Sequence, residues 1–173
     1  MTLPAFPPTK QDEVREHIRA AVTREKERLG PQVRLTAIAG GACGGDILFH
    51  EVCQELNIAS TLYLSIPRPQ YIVESVAFAG PDWIDRFDKL FLELPHLELN
   101  KSKDLPRWLR KKPDYSLWQR NNFWQLHSAL TFGGMNMTMF ALWDRQAGDG
   151  PGGTAEMVAE AQNRGAKVIL VEL

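Results

Sequence analysis

The chain has 173 residues, of which 44% are hydrophobic and 24% charged, so it can bury the core of one ordinary globular domain. Its formal net charge of −1 provides no global attraction to nucleic acid or anionic lipid, and neither is expected as a partner. No apolar run could span a bilayer and the N-terminus lacks a secretory signal pattern, so the default location is cytoplasmic. Two cysteines and four scattered histidines lack the spacing of a disulfide framework or a metal site, and we expect no metal and no cofactor.

Helices and strands alternate in the first part of the chain. The predicted elements are a charged helix that ends at residues 30–31, a strand over 33–39, a helix over 46–56 and a strand over 60–66. This order predicts a single α/β domain over residues 1–173, a Rossmann-like fold of three layers with a mostly parallel sheet and helices on both faces.

The second part of the chain continues the pattern with one interruption. The predicted elements are a helix over 70–94 that is divided at Gly80-Pro81, a short strand over 97–99, a helix that ends near 130, a strand over 137–143, a helix that ends at Gly165 and a strand over 167–173. The interruption is a basic surface insertion over residues 100–115. The strand over 137–143 is almost wholly apolar, which predicts burial on both faces.

A loop with four glycines in six residues lies between the first predicted strand and the next helix. Its candidate ligand-binding residues are Gly40, Gly41, Ala42, Cys43, Gly44, Gly45 and Asp46. Glycines let backbone N–H groups approach a ligand, and a helix start adds unpaired donors and a partial positive charge, so the pattern suits a phosphate. The alternative is that the glycines only make a tight turn with close packing. Cys43 could act as a nucleophile at a helix start, but we prefer to interpret it as a small residue that lines the loop.

A second stretch repeats this order of strand, glycine loop and helix start after Trp143. Its candidate ligand-binding residues are Asp144, Asp149, Gly150, Gly152, Gly153 and Thr154. Ligands of open α/β sheets bind outside the carboxyl ends of the strands, so the two loops are predicted to converge on one crevice.

Both loops resemble known families. Residues 40–46 followed by His50 resemble the glycine loop of the Rossmann-like domain of DNA-processing protein A. Arg120-Asn121 followed by residues 151–154 resembles the Arg and Pro-Gly-Gly motifs of the Lonely Guy phosphoribohydrolases. The ordered pair is similar to the SLOG superfamily, which unites these groups with domains that sense nucleotide-derived ligands. The resemblance implies a sensor or regulatory domain for a nucleotide or an NAD-derived or ADP-ribose-derived molecule, with a covalently linked effector domain as a further partner.

The second motif departs from the family pattern. Lonely Guy proteins carry Pro-Gly-Gly-x-Gly-Thr-x-x-Glu, whereas here Thr154 follows Gly153 directly and Glu156 lies two residues later. Nucleoside deoxyribosyltransferases resemble the same stretch, with aspartates comparable to Asp144 and Asp149 and a nucleophilic glutamate three residues after the threonine. A shift of one position on a helix turns a side chain by about 100°.

Three functions follow from these observations. In the first, the loop amides and the Thr154 hydroxyl bind phosphates, Arg120 pairs with a phosphate, and polar side chains contact ribose or base. Those polar side chains are Asp46, Asn121, Asn122, Asp144 and Asp149. In the second, the protein cleaves an N-glycosidic bond of a nucleotide, with Glu156 as nucleophile or acid/base and Arg120 orienting a phosphate. In the third, the basic segment over 101–112 around Trp108 binds single-stranded DNA, although a solvated loop is the preferred interpretation.

The N-terminus leaves two alternatives open. Domains that the chain resembles usually begin with a strand that enters the ligand crevice, whereas residues 1–8 contain no strand-like run. Either the domain is a piece of a longer polypeptide, or its sheet begins at Val33. An exposed apolar helix face could also support a homodimer.

Overall fold

The computed structural model describes residues 8–143 and 152–172. The helices are α1 (Gln11–Leu29), α2 (Gly45–Glu55), α3 (Arg68–Ser75), α4 (Pro81–Glu93), α5 (Leu117–Leu130) and α6 (Thr154–Asn163). The strands are β1 (Thr36–Ala39), β2 (Ala59–Leu64), β3 (His96–Glu98), β4 (Thr138–Leu142) and β5 (Lys167–Val171). The predicted α/β class is confirmed.

Glycine and proline set several of the element boundaries. α1 ends at Gly30, whose φ of 83° requires a conformation that glycine adopts without strain. Gly80, with φ of 111°, and Pro81 at the first helical position separate α4 from the helical turn before it. The two helix boundaries were predicted from these glycine and proline residues, and both are confirmed.

The strands form two parallel sheets. One sheet has the order β1-β2-β3, with Thr36 opposite Ala59 and Leu62 opposite His96. The other pairs β4 with β5, with Thr138 opposite Lys167. The parallel arrangement is confirmed, but in the described part of the chain no ladder joins β1 to β4, so the single continuous sheet of a simple Rossmann-like plan is interrupted there.

Helices cover both faces of the first sheet. The imidazole of His50, on α2, lies 3.0 Å from Ser60 Oγ, and the ring of Trp124, on α5, lies 4.3 Å from the ring of Tyr63. Because successive side chains of a strand point to opposite faces, Ser60 and Tyr63 lie on different faces of β2. α2 and α5 therefore form the two outer layers, as predicted.

The same two layers extend over the second sheet. Phe140, on β4, packs against Phe49 of α2 with ring centroids 5.9 Å apart. Its neighbour Met139 packs on the other side against the small cluster that contains Leu126 of α5. Both sheets therefore lie between the same layers of helices, even though their strands do not pair with each other.

A buried carboxylate ties α1 to the second sheet. Glu25 is 5% exposed and accepts hydrogen bonds from Arg28, from the Thr138 hydroxyl at 2.8 Å and from the Lys167 ammonium. The bonds from Arg28 lower the pKa of Glu25 to about 2, with Lys167 and Thr138 acting in the same direction. The amino ends of β4 and β5 are thereby fixed against α1.

The basic segment over residues 101–112 contains neither helix nor strand. Its six basic side chains are exposed, and Trp108 is 76% exposed, whereas Leu109 is buried. The segment is thus anchored by Leu109 and by Leu105, which packs against the core, while its basic side chains face solvent. None of the helices in the described residues combines the length and the apolarity that a membrane-crossing helix requires.

Candidate functional site

The two sheets border a cavity of about 1160 Å³ that runs between β1 and β4. At one end it reaches the carboxyl ends of both strands, where α2 and α6 begin. The candidate residues that line it are Ala42, Cys43, Gly45, Asp46, Asn122 and Thr154. The two predicted loops therefore do contribute to one cavity, although only some of their residues face it.

The first two glycines of the 40–45 loop are required by close packing. A Cβ on Gly40 would collide with the carboxylate of Asp46, and a Cβ on Gly41 would lie 2.7 Å from the ring of Phe87. Three successive amides of the loop are used inside the protein. Gly41 N–H donates to the Tyr71 hydroxyl at 3.0 Å, Ala42 N–H to Asp46 at 3.1 Å, and Cys43 N–H to the Ser75 carbonyl at 2.9 Å. In this geometry these amides are not available to a phosphate.

His50, on α2, holds the first residue of the 40–45 loop in place. It is fully buried, with Nε2 3.0 Å from the Gly40 carbonyl and Nδ1 3.0 Å from Ser60 Oγ. Because a carbonyl only accepts, Nε2 carries the proton and Nδ1 accepts from the Ser60 hydroxyl. Burial lowers the pKa of His50 to about 4, so the ring is neutral at pH 7. These bonds indicate that His50, the histidine that follows the glycine loop, supports the loop structurally.

The donors that the loop leaves open belong to the start of α2. Gly44 precedes the helix with φ of 99°, and no side chain caps the first turn. α6 also begins without a side-chain cap, after Gly153, and Thr154 is its first residue. The first N–H groups of a helix have no partner within the helix, and they carry the positive end of its dipole. Two such helix starts border the same end of the cavity.

Acidic and thiol groups at this end are perturbed by burial. Burial raises the pKa of Asp46 to about 6, although its bond from Ala42 N–H acts in the opposite direction. Burial, and secondarily the Asp46 carboxylate, raises the pKa of Cys43 to about 11. A thiol with a raised pKa is a poor nucleophile, so the geometry favours the interpretation of Cys43 as a lining residue.

The second loop is packed against α5. Gly152 has φ of 83°, and a Cβ there would lie 2.6 Å from the Cα of Gln119. Its carbonyl accepts from the Asn122 side chain at 2.9 Å. Its N–H donates to Glu156, which also accepts from the Gln119 amide at 3.2 Å. Glu156 thus ties the segment before α6 to the first turn of that helix.

Arg120 and Asn121, on α5, lie beside the carboxyl end of β2 and do not line the cavity. Arg120 donates to Asn100, and Asn100 in turn donates to the Ser65 carbonyl at 2.9 Å. Asn121 is buried and donates to the Tyr63 carbonyl at 3.2 Å. Within the described residues, Asn121 Oδ1 and Ser65 Oγ lack a hydrogen-bond partner. These groups form a second polar cluster, apart from the two helix starts.

Three candidate residues, Asp144, Asp149 and Gly150, lie outside the described residues. The sequence did not predict the residues that accept from the loop amides, namely Tyr71 and Ser75, nor Gln119, which donates to Glu156. A tyrosine and a serine in α3 carry no local pattern that marks them as loop partners. The described residues contain no group of three or more His, Cys, Asp or Glu side chains placed to hold a metal ion.

The chain was compared with protein families and with curated proteins. No protein-family model matches the chain, and a search of curated proteins finds no match either.

Proposed function

We propose that this protein binds a nucleotide, or a molecule derived from NAD or ADP-ribose, at the end of the cavity where α2 and α6 begin, and that it acts as a sensor or regulatory domain. The observation that carries the proposal is the meeting of two helix starts without side-chain caps at one cavity. Helix starts of this kind favour phosphate groups.

The polar groups around this end fit such a ligand. The first amides of α2 and the Thr154 hydroxyl supply donors to phosphate oxygens. Asn122 lines the cavity and supplies an amide, and the Asp46 carboxylate accepts from ribose hydroxyls. Since the pKa of Asp46 is about 6, it is mostly ionised at pH 7 and serves as an acceptor there.

Binding is favoured over cleavage of the ligand because of the contacts of Glu156. Its carboxylate already accepts from Gly152 N–H and from the Gln119 amide. Both bonds end on Oε2 and fix the carboxylate against the segment before α6, and Glu156 does not line the cavity in which the ligand is proposed to bind. N-glycosidase activity is therefore the second proposal, and we propose single-stranded DNA binding only as a third.

The first experiment is thermal unfolding with NAD, ADP-ribose, cyclic ADP-ribose and AMP, followed by analysis of each mixture for released base. A ligand that binds only the folded state stabilises it by about 2.7 kcal/mol at a hundredfold excess over its Kd. A raised midpoint without a product supports the sensor. Base release would replace it by the glycosidase, and an unchanged midpoint with all four compounds would contradict the proposal.

A pair of threonine variants locates the site. Thr154→Val removes the hydroxyl that lines the cavity and keeps the shape of the side chain, and we expect binding of the stabilising compound to weaken by about fivefold. Thr131→Val is the matched control, because the Thr131 hydroxyl donates to the Ser128 carbonyl at the exposed end of α5. Equal effects of the two substitutions would place the ligand elsewhere.

A further inference from the structure

The cavity between the sheets lies where one further strand would pair with both β1 and β4. β4 runs in the same direction as β1. Its first residue, Thr138, bonds to Glu25 near the end of α1, which leads into β1. Its last residue, Leu142, lies 3.3 Å from the Cβ position of Gly45, at the start of α2, which follows β1. Two parallel strands thus present their edges to one cavity along their whole length. We call this cavity the strand slot.

The exposure of the two bordering strands agrees with this plan. A strand at the centre of an α/β sheet is normally buried on both faces. In β1 only Ala39 is buried, and in β4 only Ala141 is, whereas three of the six residues of β2 are buried. The prediction that the apolar strand over 137–143 is buried on both faces is therefore wrong for most of β4, because its slot edge has no neighbouring strand.

The remaining walls of the strand slot are apolar on both faces. Ile18 and Val22 of α1 and Phe49 of α2 line one side, and Leu126 of α5 and Met157 of α6 line the other. An extended segment between these walls would need apolar side chains on both faces, as in a central parallel strand. The volume of about 1160 Å³ also exceeds the roughly 300–1,000 Å³ of ordinary small-molecule pockets.

The amino end of the strand slot is basic. Its charged lining residues in the described chain are Glu25, Lys26, Arg28, Arg34 and Lys167, and the single carboxylate is already bonded to Arg28 and Lys167. Cations at this end complement an acidic residue that precedes the apolar run of a parallel strand. α1 leads directly into β1 and lies over the slot, the position that a crossover helix takes over a parallel strand beside its own, so the slot has the place of a strand parallel to β1.

We propose that the strand slot binds an extended peptide segment of a partner polypeptide, with an acidic residue followed by about five apolar residues, which pairs in parallel with both β1 and β4. Unpaired strand edges bind extended peptides through backbone hydrogen bonds, while pockets for the side chains give selectivity. The peptide would join the two sheets into one sheet of six strands.

The test uses a fluorescent synthetic peptide of this pattern with a polar tail, added to the full chain. Fluorescence anisotropy measures binding, and hydrogen exchange by NMR measures the amides of Thr36–Ala39 and Thr138–Leu142. We expect saturable binding of one peptide and at least about tenfold slower exchange at alternate amides of both strands, since pairing uses every second residue. A peptide with alternate N-methylated residues should bind at least about tenfold more weakly.

Two substitutions of alanine by glutamate separate binding in the slot from non-specific binding to the protein surface. Ala129→Glu puts a carboxylate among the slot residues and should weaken peptide binding by at least about tenfold, whereas Ala159→Glu changes an exposed helix position outside the slot and should leave it unchanged. Absence of peptide binding, or protection of only one strand, would overturn the proposal. It would equally be overturned if the slot amides were already protected without peptide, because a second copy of the chain, seen as a dimer by light scattering, or a segment of the same chain, in a monomer, would then fill the slot.

Discussion

The two glycine loops of this protein look alike in sequence and differ in how they are held. In the 40–45 loop, three amides bond to Tyr71, Asp46 and Ser75, and the buried ring of Phe87 leaves no space for a Cβ on Gly41. The loop before α6 is held from both sides by α5, through Asn122 and Gln119, and by Glu156 of its own helix.

The difference shows that a glycine-rich turn does not by itself supply phosphate donors. Close packing explains Gly40 and Gly41, whereas the donors that remain for a ligand are those of the helix starts that follow each loop. Substitutions in the two loops should therefore separate the energy of packing from the energy of ligand binding.

The largest effect is expected for Gly152→Ala. The substitution combines an unfavourable backbone conformation, which costs about 1–2 kcal/mol, with a collision against the backbone of Gln119, which costs about 1–3 kcal/mol more. Gly30→Ala is the control, because Gly30 has the same φ of 83° with nothing within 4 Å of the added Cβ. Urea unfolding should show a clearly larger loss for Gly152→Ala. Equal losses would mean that the loop can move away from α5.

The next largest effect concerns the pH dependence of the free energy of unfolding. Two buried groups, His50 and Asp46, contribute to it with opposite signs. His50 has a pKa of about 4 in the folded state against 6.5 unfolded, so the unfolded chain binds its proton first and stability rises with pH in that window. Asp46 has a pKa of about 6 against 3.8, so the folded chain binds its proton first and stability falls as pH rises. Between pH 4 and 6 the two slopes oppose each other.

Single substitutions should expose each slope. Relative to the unmodified chain, the free energy of unfolding of Asp46→Asn should rise with pH between 4 and 6, and that of His50→Gln should fall, each by up to about 1.4 kcal/mol per pH unit. Glu25 does not disturb the comparison, because its pKa of about 2 against 4.5 places its own slope mostly below this window. Parallel curves for all three proteins would show that neither group titrates as described.

A smaller effect is expected when one donor is removed from the start of α2. Gly45→Pro deletes the N–H at a position where a helix accepts proline, and Gly45→Ala adds a Cβ near Leu142 but keeps the N–H. Proline should weaken binding of the stabilising nucleotide by about tenfold relative to alanine, as measured by titration calorimetry. Identical affinities of the two variants would remove this amide from the binding site.

The smallest effect is expected for Glu156→Gln. Loss of the charge in the first turn of α6 should lower stability by about 0.5–1 kcal/mol, because a carboxylate there stabilises the positive end of the helix dipole, and should leave nucleotide affinity almost unchanged, because Glu156 does not line the cavity. Glu160→Gln, which removes a surface pair with Arg164, is the control and should cost less. If Glu156→Gln were as stable as the unmodified chain but abolished release of base from a nucleotide, Glu156 would be catalytic.

The sequence predicted the features that depend on local chemistry. Gly30, Gly80 and Pro81 mark helix boundaries through their own backbone preferences, so those boundaries could be read directly. The partners of the loop amides could not be predicted, because Tyr71 and Ser75 reach the loop only through the packing of α3. The division into two sheets also has no local signal, since β1 and β4 are apolar whether or not a strand lies between them.

The contacts around Glu25 and Phe49 have a mechanical consequence. They connect β4 and β5 to α1 and α2 through side chains, and in the described chain no strand ladder connects β4 to β1. Since side-chain contacts yield more readily than a ladder of backbone bonds, the distance between the two sheets is held less firmly than the distance between paired strands within each sheet. If a peptide binds between the sheets as proposed, it would shift Leu142 against Gly45 and change the geometry at the start of α2, which would couple the proposed peptide site to the proposed nucleotide site.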